Sequence, residues 1–354
     1  MAESACSIAI VTEAAYAGDR RAWFDDAGLA EALSRLGHRC SIVAWTNKDL
    51  DWQAYDAVYV STTWNACDTP RAFLAWLKRT EADGRKRLIN SREVLEDGFR
   101  KYRYLSVLEE LCSEDPALKG FITPSRFLLD TECPDEGLES LQGRSLAQLL
   151  HPLDQDERWG SADIILKPCI SADGKDTFVY ERQARAFPTQ ERAPFVLGAA
   201  EAEETFQRLA ADSERGGVIV QPYMRGVERG EYSLVFFEDR FSHAVRKPPG
   251  FKAGTGRRTA AKADELPEHT LAFASDILGR FRRFYGAETI TRSRVDLFVQ
   301  EGLPVLCELE VVEPNTNLGV VARDWGQART ETLFRSYAAA VSKRARGLSA
   351  LYPT

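Results

Sequence analysis

The cysteines of this chain follow no pairing pattern. Seven of them (Cys6, Cys40, Cys67, Cys112, Cys133, Cys169 and Cys307) are scattered through 354 residues, and no two are spaced Cys-x-x-Cys. An odd, dispersed set argues against a disulfide framework or a zinc site and fits reduced thiols, most of them small core residues. Long apolar runs are also missing. None approaches the roughly 20 residues a membrane span requires, and the opening residues show no basic segment leading into an apolar one, so the expected location is the cytoplasm. Nor does one sign of charge dominate. Lys and Arg number 46 and Asp and Glu 53, a net charge of -7 without acidic or basic blocks, so neither nucleic acid nor a membrane is an expected partner. A Gly-x-Gly-x-x-Gly turn is absent as well. The first apolar strand leads instead into Thr12-Glu-Ala-Ala-Tyr16, which disfavours a dinucleotide-binding dehydrogenase. There is no internal repeat and no low-complexity segment.

What is present is an ordinary globular composition, 44% hydrophobic, long enough for two or three units, each with its own core. Residues 7–11, 39–44, 57–60 and 87–89 read as strands, and 23–36 and 70–79 as helices, with Gly37 placed to end the first helix. Strands alternating with helices predict a parallel α/β domain whose ligand surface lies at the strand carboxyl ends, here Thr12-Glu13 and Ser61 to Asn65. After Asn90 the pattern changes. A helix is predicted over 100–111, strands over 126–129, 164–168 and 177–180, and a helix over 201–211, while 130–158 reads as an irregular polar insertion. Strands over 218–223, 232–237 and 241–246, a long helix over 269–285 with a Phe273, Ile277, Phe281, Phe284 stripe, a hairpin and a closing helix over 329–346 complete the chain. The expected architecture is α/β and α+β: an N-terminal domain over 1–98, a small subdomain over 99–222 and a larger one over 223–354.

The hairpin carries the chemistry. Residues two apart on a strand share a face, so Glu308 and Glu310 project together, and counting six residues either way from Gly302 sets Asp296 opposite Glu308. Three carboxylates on one half-buried face would repel one another unless a cation neutralised them, and oxygen-only ligands suit Mg²⁺, with Mn²⁺ as the substitute ion. The plain alternative is a solvated sheet face. Lys167 closes the apolar strand Ile164-Ile-Leu, where it can reach an anionic ligand. The short loop after it, from Ser171 through Gly174 to Thr177, offers amides and hydroxyls to phosphates, although the same residues make an ordinary turn. Lys101 opens its helix, where a solvated lysine is the plain reading. The strand ending at Gln221-Pro222-Tyr223 lacks one ladder donor, so neighbouring backbone groups are left for an adenine edge, with Glu228 or Glu231 available to ribose hydroxyls.

These segments, in this order, resemble the ATP-grasp superfamily of ADP-forming carboxylate ligases. Within it the chain is similar to bacterial amide-forming and cyclising ligases related to glutathione synthetase and to the O-ureido-serine cyclo-ligase that makes cycloserine. The resemblance runs over most of residues 90–325. It implies ATP and Mg²⁺ as cofactors, Lys101 and Lys167 on phosphates, the stretch after Gln221 as the adenine hinge, Glu231 on the ribose, and Asp296 and Glu308 as metal ligands. Two departures stand out: Glu310 where much of the superfamily has Asn, and Asn315-Thr-Asn317 where this group often has Ser after Glu-Pro.

The implied reaction activates a small amino-acid-like carboxylate as an acyl phosphate and joins it to an amine, both small-molecule partners. Arg294 is the candidate for holding the acyl phosphate. Lys247 and His243 rank behind it, and a lone strand histidine is more often structural. The glycine-rich stretch 250–259 is read as a lid that brings Arg258 over an anionic substrate, against the alternative of a flexible surface loop. Thr62, Thr63, Trp64 and Asp68 stand where a second substrate would bind, with packing of Trp64 against the neighbouring domain as the plain alternative. Three other readings remain open: a cyclising ligase acting on one substrate, a small-molecule kinase, and a nucleotide sensor without turnover. A homodimer is the base-rate expectation for assembly.

Overall fold

In a computed structural model the chain is described over residues 4–352, apart from 114, 116–120, 130–138, 141–143, 157–158, 161, 173, 183–194 and 249–256. Three sheets organise it. The first is parallel throughout, built from β1 (Ser7–Thr12), α1 (Phe24–Arg35), β2 (Arg39–Ala44), β3 (Ala57–Thr62), α2 (Pro70–Thr80) and β4 (Leu88–Ile89). Its order, β2-β1-β3-β4, sends the chain from β1 first to one side and then to the other. That reversal opens a crevice at the carboxyl ends of β1 and β3. Gly37 takes a φ of 87° just past α1, the left-handed conformation that ends a helix at little cost for glycine.

Two helices then lead out: α3 (Arg92–Phe99), capped by the Ser91 side chain on the Val94 amide, and α4 (Lys101–Ser113). The sequence pattern gave a helix only from residue 100, because the acidic turn of α3 masks its buried Val94, Leu95 and Phe99. The second sheet holds β5 (Arg126–Leu129), β6 (Glu139–Ser140), β7 (Ile164–Pro168), β8 (Phe178–Tyr180), β9 (Val196–Leu197) and β10 (Val218–Pro222) in the order β6-β5-β10-β7-β8-β9. The helices α5 (Leu146–Leu150) and α6 (Ala199–Ala210) share a core with it around Trp159, Leu166, Phe206 and Val220. Much of the polar insertion over 130–158 lies outside the described residues. The part that is described carries β6 and α5.

The third sheet, β13-β12-β11-β14-β15, is antiparallel throughout and contains β11 (Glu231–Phe237), β12 (Arg240–Lys247), β13 (Thr259–Ala261), β14 (Arg292–Gln300) and β15 (Leu303–Glu310). The helix α7 (Thr270–Tyr285) packs against it. Phe273, Ile277 and Phe281 of the expected stripe are buried, but Phe284 is 54% exposed and Tyr285 takes the inner position, as a four-residue step from Phe281 requires. Finally α8 (Leu318–Trp325), which the sequence reading missed, and α9 (Gln327–Ala350) return to the first sheet and share a core with α1 through Leu29, Leu33, Phe334 and Val341.

Asn90 joins the first sheet to the third. Its Nδ2 donates to the carbonyls of Arg292 at 2.9 Å and Val311 at 2.6 Å, and its Oδ1 accepts the Thr291 and Arg292 amides. All four contacts are buried, so the base of the hairpin is fixed relative to β4.

Candidate functional site

The site is laid out on one face of the β14-β15 hairpin. The turn is Glu301-Gly302, both with positive φ, and it pairs Gln300 with Leu303 and Leu297 with Leu306. A two-residue turn carried on in register would set Asp296 against Cys307. A bulge there leaves Cys307 unpaired and places Asp296 opposite Glu308, with Arg294 opposite Glu310. The symmetric count in the sequence reading reached the same pair with the turn one residue late, and the bulge supplies the missing residue.

Cations interleave with these carboxylates. Arg294 grips Asp296 with Nε to Oδ1 and Nη2 to Oδ2, each at 2.8 Å, and Lys247 Nζ donates to Asp296 Oδ2 at 2.9 Å. Burial alone would push the Asp296 carboxyl up. The Arg294 and Lys247 charges outweigh it and hold the group well below the usual carboxylate range. Lys101, at the start of α4, pairs with Glu308 Oε1. Burial opposes both charges, yet the pair sustains them, lowering Glu308 and raising Lys101. Lys247 also lies 3.8 Å from Glu231 Oε2, where burial raises the carboxyl. Glu310 Oε1 accepts the amides of Val312 and Glu313 at 2.8 and 3.2 Å, fixing the turn that leaves the hairpin.

The Lys167 side chain, on β7, has no hydrogen bond or ion pair among the described residues. Burial lowers its pKa, Lys101 adds repulsion, and Cys307, Glu308 and Glu231 pull it back. Four cations (Lys101, Lys167, Lys247, Arg294) thus face four carboxylates (Glu231, Asp296, Glu308, Glu310), and one cation is uncommitted.

Among the described residues no three His, Cys, Asp or Glu side chains form a metal cage. The donor chemistry nevertheless fits Mg²⁺. Glu308 and Glu310 sit two apart on one strand, and each keeps Oε2 free of hydrogen bonds to described residues.

The loop after β7 is tied to the first sheet. Lys175 of this loop pairs with Asp68 at 2.5 Å, Thr177 N–H donates to the Gly174 carbonyl, and Gly174 takes a φ of 70°. Ser171 is half-buried beside them. Gln221 turns its side chain inward, Nε2 donating to Ser125 Oγ at 2.7 Å, and the Tyr223 amide donates to the Asp163 carbonyl. Beyond Pro222 the chain crosses the hairpin, where Tyr223, Met224, Val227, Phe298, Val305 and Cys307 make a small apolar cluster. Gly226 permits this approach, because a Cβ there would stand 2.5 Å from the Phe298 ring and 2.7 Å from the Val299 carbonyl. Glu228 is exposed on the outer side of this crossing, whereas Glu231 faces Lys247.

His243 is fully buried, its Nε2 2.6 Å from the Thr316 carbonyl and its Nδ1 2.9 Å from Ser242 Oγ. Burial holds its pKa down at about 4. It therefore stays neutral and pins the 315–317 loop, as a structural histidine would. Arg258 is exposed and donates to Asn317 Oδ1 at 3.2 Å. The rest of the expected lid, 249–256, lies outside the described residues.

Of the far wall, the sequence pointed to Thr63 and Trp64 as a second-substrate surface and assigned no role to Glu313, Asp25, Asp26 or Arg292. Thr63 Oγ1 donates to Glu313 Oε2 at 2.5 Å, and Trp64 Nε1 to the Glu313 carbonyl at 3.3 Å. Burial and repulsion from Glu310 push the Glu313 carboxyl up to about 8. Beneath it, Asp26 Oδ1 accepts from Ser61 Oγ at 2.5 Å, Asp25 Oδ2 accepts from Thr316 Oγ1, and Arg292 donates to Ser61 Oγ, Tyr337 OH and the Val60 carbonyl. All are buried. For Glu313 the available signal was a third glutamate after Glu308 and Glu310, and for the residues beneath it the Asp25-Asp26 pair at the head of α1.

Comparison with known proteins supports the fold. A family profile for the N-terminal domain of D-cycloserine synthetase DcsG matches residues 8–90. No curated protein matches the chain. Among solved structures, the crystal structure of D-cycloserine synthetase DcsG superposes with a TM-score of 0.71 at 23% identity, covering 96% of this chain and 99% of that one. D-alanine–D-alanine ligase from Bacillus anthracis complexed with ATP gives 0.53 at 13% identity, over 96% and 98%. The ATP-grasp ligase PsnB with precursor peptide PsnA2 and AMPPNP gives 0.52 at 14%, over 96% and 97%. The chain has the ATP-grasp fold.

Proposed function

We propose that the chain is a Mg²⁺-ATP-dependent, ADP-forming ligase that activates a small amino-acid-like carboxylate as an acyl phosphate and joins it to an amine. The observation that carries this reading is the facing set of four cations and four carboxylates with Lys167 uncommitted, on a fold shared with ATP-grasp ligases. In it, Lys101 and Lys167 hold phosphate oxygens and the 171–177 loop covers them with backbone amides. The apolar cluster around Phe298 and Val305 receives adenine beside the Tyr223 crossing, and Glu231 takes the ribose. Glu308 and Glu310, each with a free oxygen, and Asp296 beside them would hold Mg²⁺, which supplies the charge that links these carboxylates to the phosphates.

Arg294, locked by Asp296 and donating to the Asn315 carbonyl at 3.4 Å, presents its remaining N–H groups to the acyl phosphate, so orientation is prepared before substrate arrives. The three sheets support the division near 98 and 222, with α8 and α9 returning to the N-terminal unit. The six described cysteines are free thiols, which supports a cytoplasmic location. No helix among the described residues is long and apolar enough to cross a membrane.

Cyclisation of a single amino-acid-derived substrate is the second reading. It is favoured by the profile match over 8–90 and by the full-length likeness to DcsG.

The test is ADP release from Mg²⁺-ATP against amino acids and small carboxylates, singly and in pairs, with mass spectrometry of the product. A product one water lighter than two cosubstrates supports the ligase, and one water lighter than a single substrate supports cyclisation. A stable phosphorylated product, or nucleotide binding without ADP release, would refute both readings.

A further inference from the structure

Resting on the ligase reading but going beyond it, we propose that Glu313 receives the ammonium group of the amino-acid-like substrate, in the crevice between the first sheet and the hairpin. The residue is built to present one oxygen. It is 7% exposed, and three anchors fix it from two sides. Thr63 Oγ1 holds Oε2, Trp64 Nε1 holds the carbonyl, and the Glu313 amide is held by Glu310. Among the described residues Oε1 carries no hydrogen bond and no Lys or Arg pairs with the carboxylate. A buried carboxyl left without a paired cation is poorly ionised, and an ammonium ligand, which can pair with it, removes that cost.

A second, independent observation points to the same chemistry. Trp64, which touches Glu313, belongs to an aromatic trio with Trp23 and Tyr16, with ring centroids 5.1 Å (Trp23 to Trp64), 6.0 Å (Tyr16 to Trp64) and 5.4 Å (Tyr16 to Trp23) apart. All three rings are half-buried. Aromatic faces beside a carboxylate attract an ammonium. The trio stands at the carboxyl ends of β1 and β3, where the strand order reverses and ligands of open α/β sheets bind. Glu313 is the third residue after Glu310, which stands opposite Arg294 on the hairpin, so a substrate anchored here by its ammonium has its carboxyl end near Arg294 and the phosphate-binding lysines.

The test needs no nucleotide. Tryptophan fluorescence of the full chain is titrated with pooled L- and D-amino acids, then with single members, and with their N-acetyl counterparts. Free amino acids should change the signal and the N-acetyl forms should not. Glu313→Gln should weaken the binding at least about tenfold, and Thr63→Val, which removes the hydroxyl that holds Oε2 while keeping the carboxyl, should weaken it less. Circular dichroism of both variants guards against misfolding. Equal binding of N-acetyl forms, unchanged affinity in Glu313→Gln, or no binding at millimolar concentration would overturn the proposal. ADP release that survives while binding ignores Glu313 sinks this inference alone. Glu313-dependent binding without ADP release sinks the ligase reading instead.

Discussion

Asp26 offers a direct test of the packing between the first and third sheets. Its side chain is 1% exposed, Oδ1 takes the Ser61 hydroxyl, and the Thr62 hydroxyl also favours its ionised form. Burial raises its pKa from 3.8 to about 6, Asp25 adds to the rise, and the Ser61 hydroxyl and the Arg292 charge oppose it. Because the folded value lies above the unfolded one, folding takes up a proton between them. The stability associated with this group is full below about pH 4 and is lost as pH rises through about 6. The interval corresponds to about 3 kcal/mol at about 1.4 kcal/mol per tenfold in proton affinity. Asp26→Asn keeps an acceptor for Ser61 and carries no charge to desolvate. At about pH 8 it should be more stable than the parent by up to about 3 kcal/mol. With about 2.1 cal/mol/K of unfolding entropy per residue, that is a midpoint about 4 °C higher for a chain of this size. At about pH 4 to 5 the advantage should shrink toward zero. Thermal unfolding of both proteins across this range, followed by circular dichroism, gives the difference, which includes the repulsion that loss of the Asp26 charge relieves at Asp25. Parallel curves at every pH would refute the reasoning. So would a less stable variant at pH 8, which would mean that the ionised Asp26 and Arg292 attract by more than burial costs.

Lys167→Met should leave the circular dichroism spectrum unchanged and lower ADP release by about 100-fold or more, the scale for losing one positioned charge donor; activity within tenfold of the parent would remove Lys167 from the phosphate site. Glu308→Gln should raise the Mg²⁺ concentration needed for half-maximal ADP release, and a chelator should abolish release in the parent until Mg²⁺ is restored; an unshifted Mg²⁺ curve would show that Glu308 serves only Lys101. Asp296→Ala should be a poor probe of catalysis, because it strands the buried Arg294 and Lys247 and should cost about 3–5 kcal/mol of stability; a melting midpoint equal to the parent's would contradict the ion-pair geometry. His243→Gln should cost about 1–3 kcal/mol through lost buried hydrogen bonds while leaving kcat within a few-fold. Because burial holds the His243 pKa at about 4, its contribution to stability is present above its ordinary 6.5 and is lost as pH falls toward 4; an activity profile with a His243-dependent limb near pH 6 to 7 would restore it as a proton carrier.

The legible part of this protein is the part written in local periodicity. β2, β5 and β7 fall at the predicted residues because alternating or continuous apolar runs bounded by polar turns leave little choice of register. The acidic face of the hairpin was legible for the same reason, since side chains two apart share a face wherever the strand is placed. The missed features depend on tertiary placement. The α3 segment reads as acidic coil until Ser91 caps it and the core takes Val94 and Phe99. The αL Asn317 that starts α8 looks like any loop asparagine. The bulge at Cys307 leaves no sequence mark, and it decides whether Cys307 or Glu308 faces Asp296. The largest gap is the pairing of Thr63 and Trp64, already read as a second-substrate surface, with Glu313, which lies about 250 residues away in sequence. Spacing rules reach across a turn or a hairpin and cannot pair Thr63 with Glu313. The sign of the omission was visible all the same: a third glutamate follows Glu308 and Glu310, and a metal cage does not need it. An acid left over from one site's accounting should be tested as part of its neighbour, and here that neighbour is the crevice at the ends of β1 and β3.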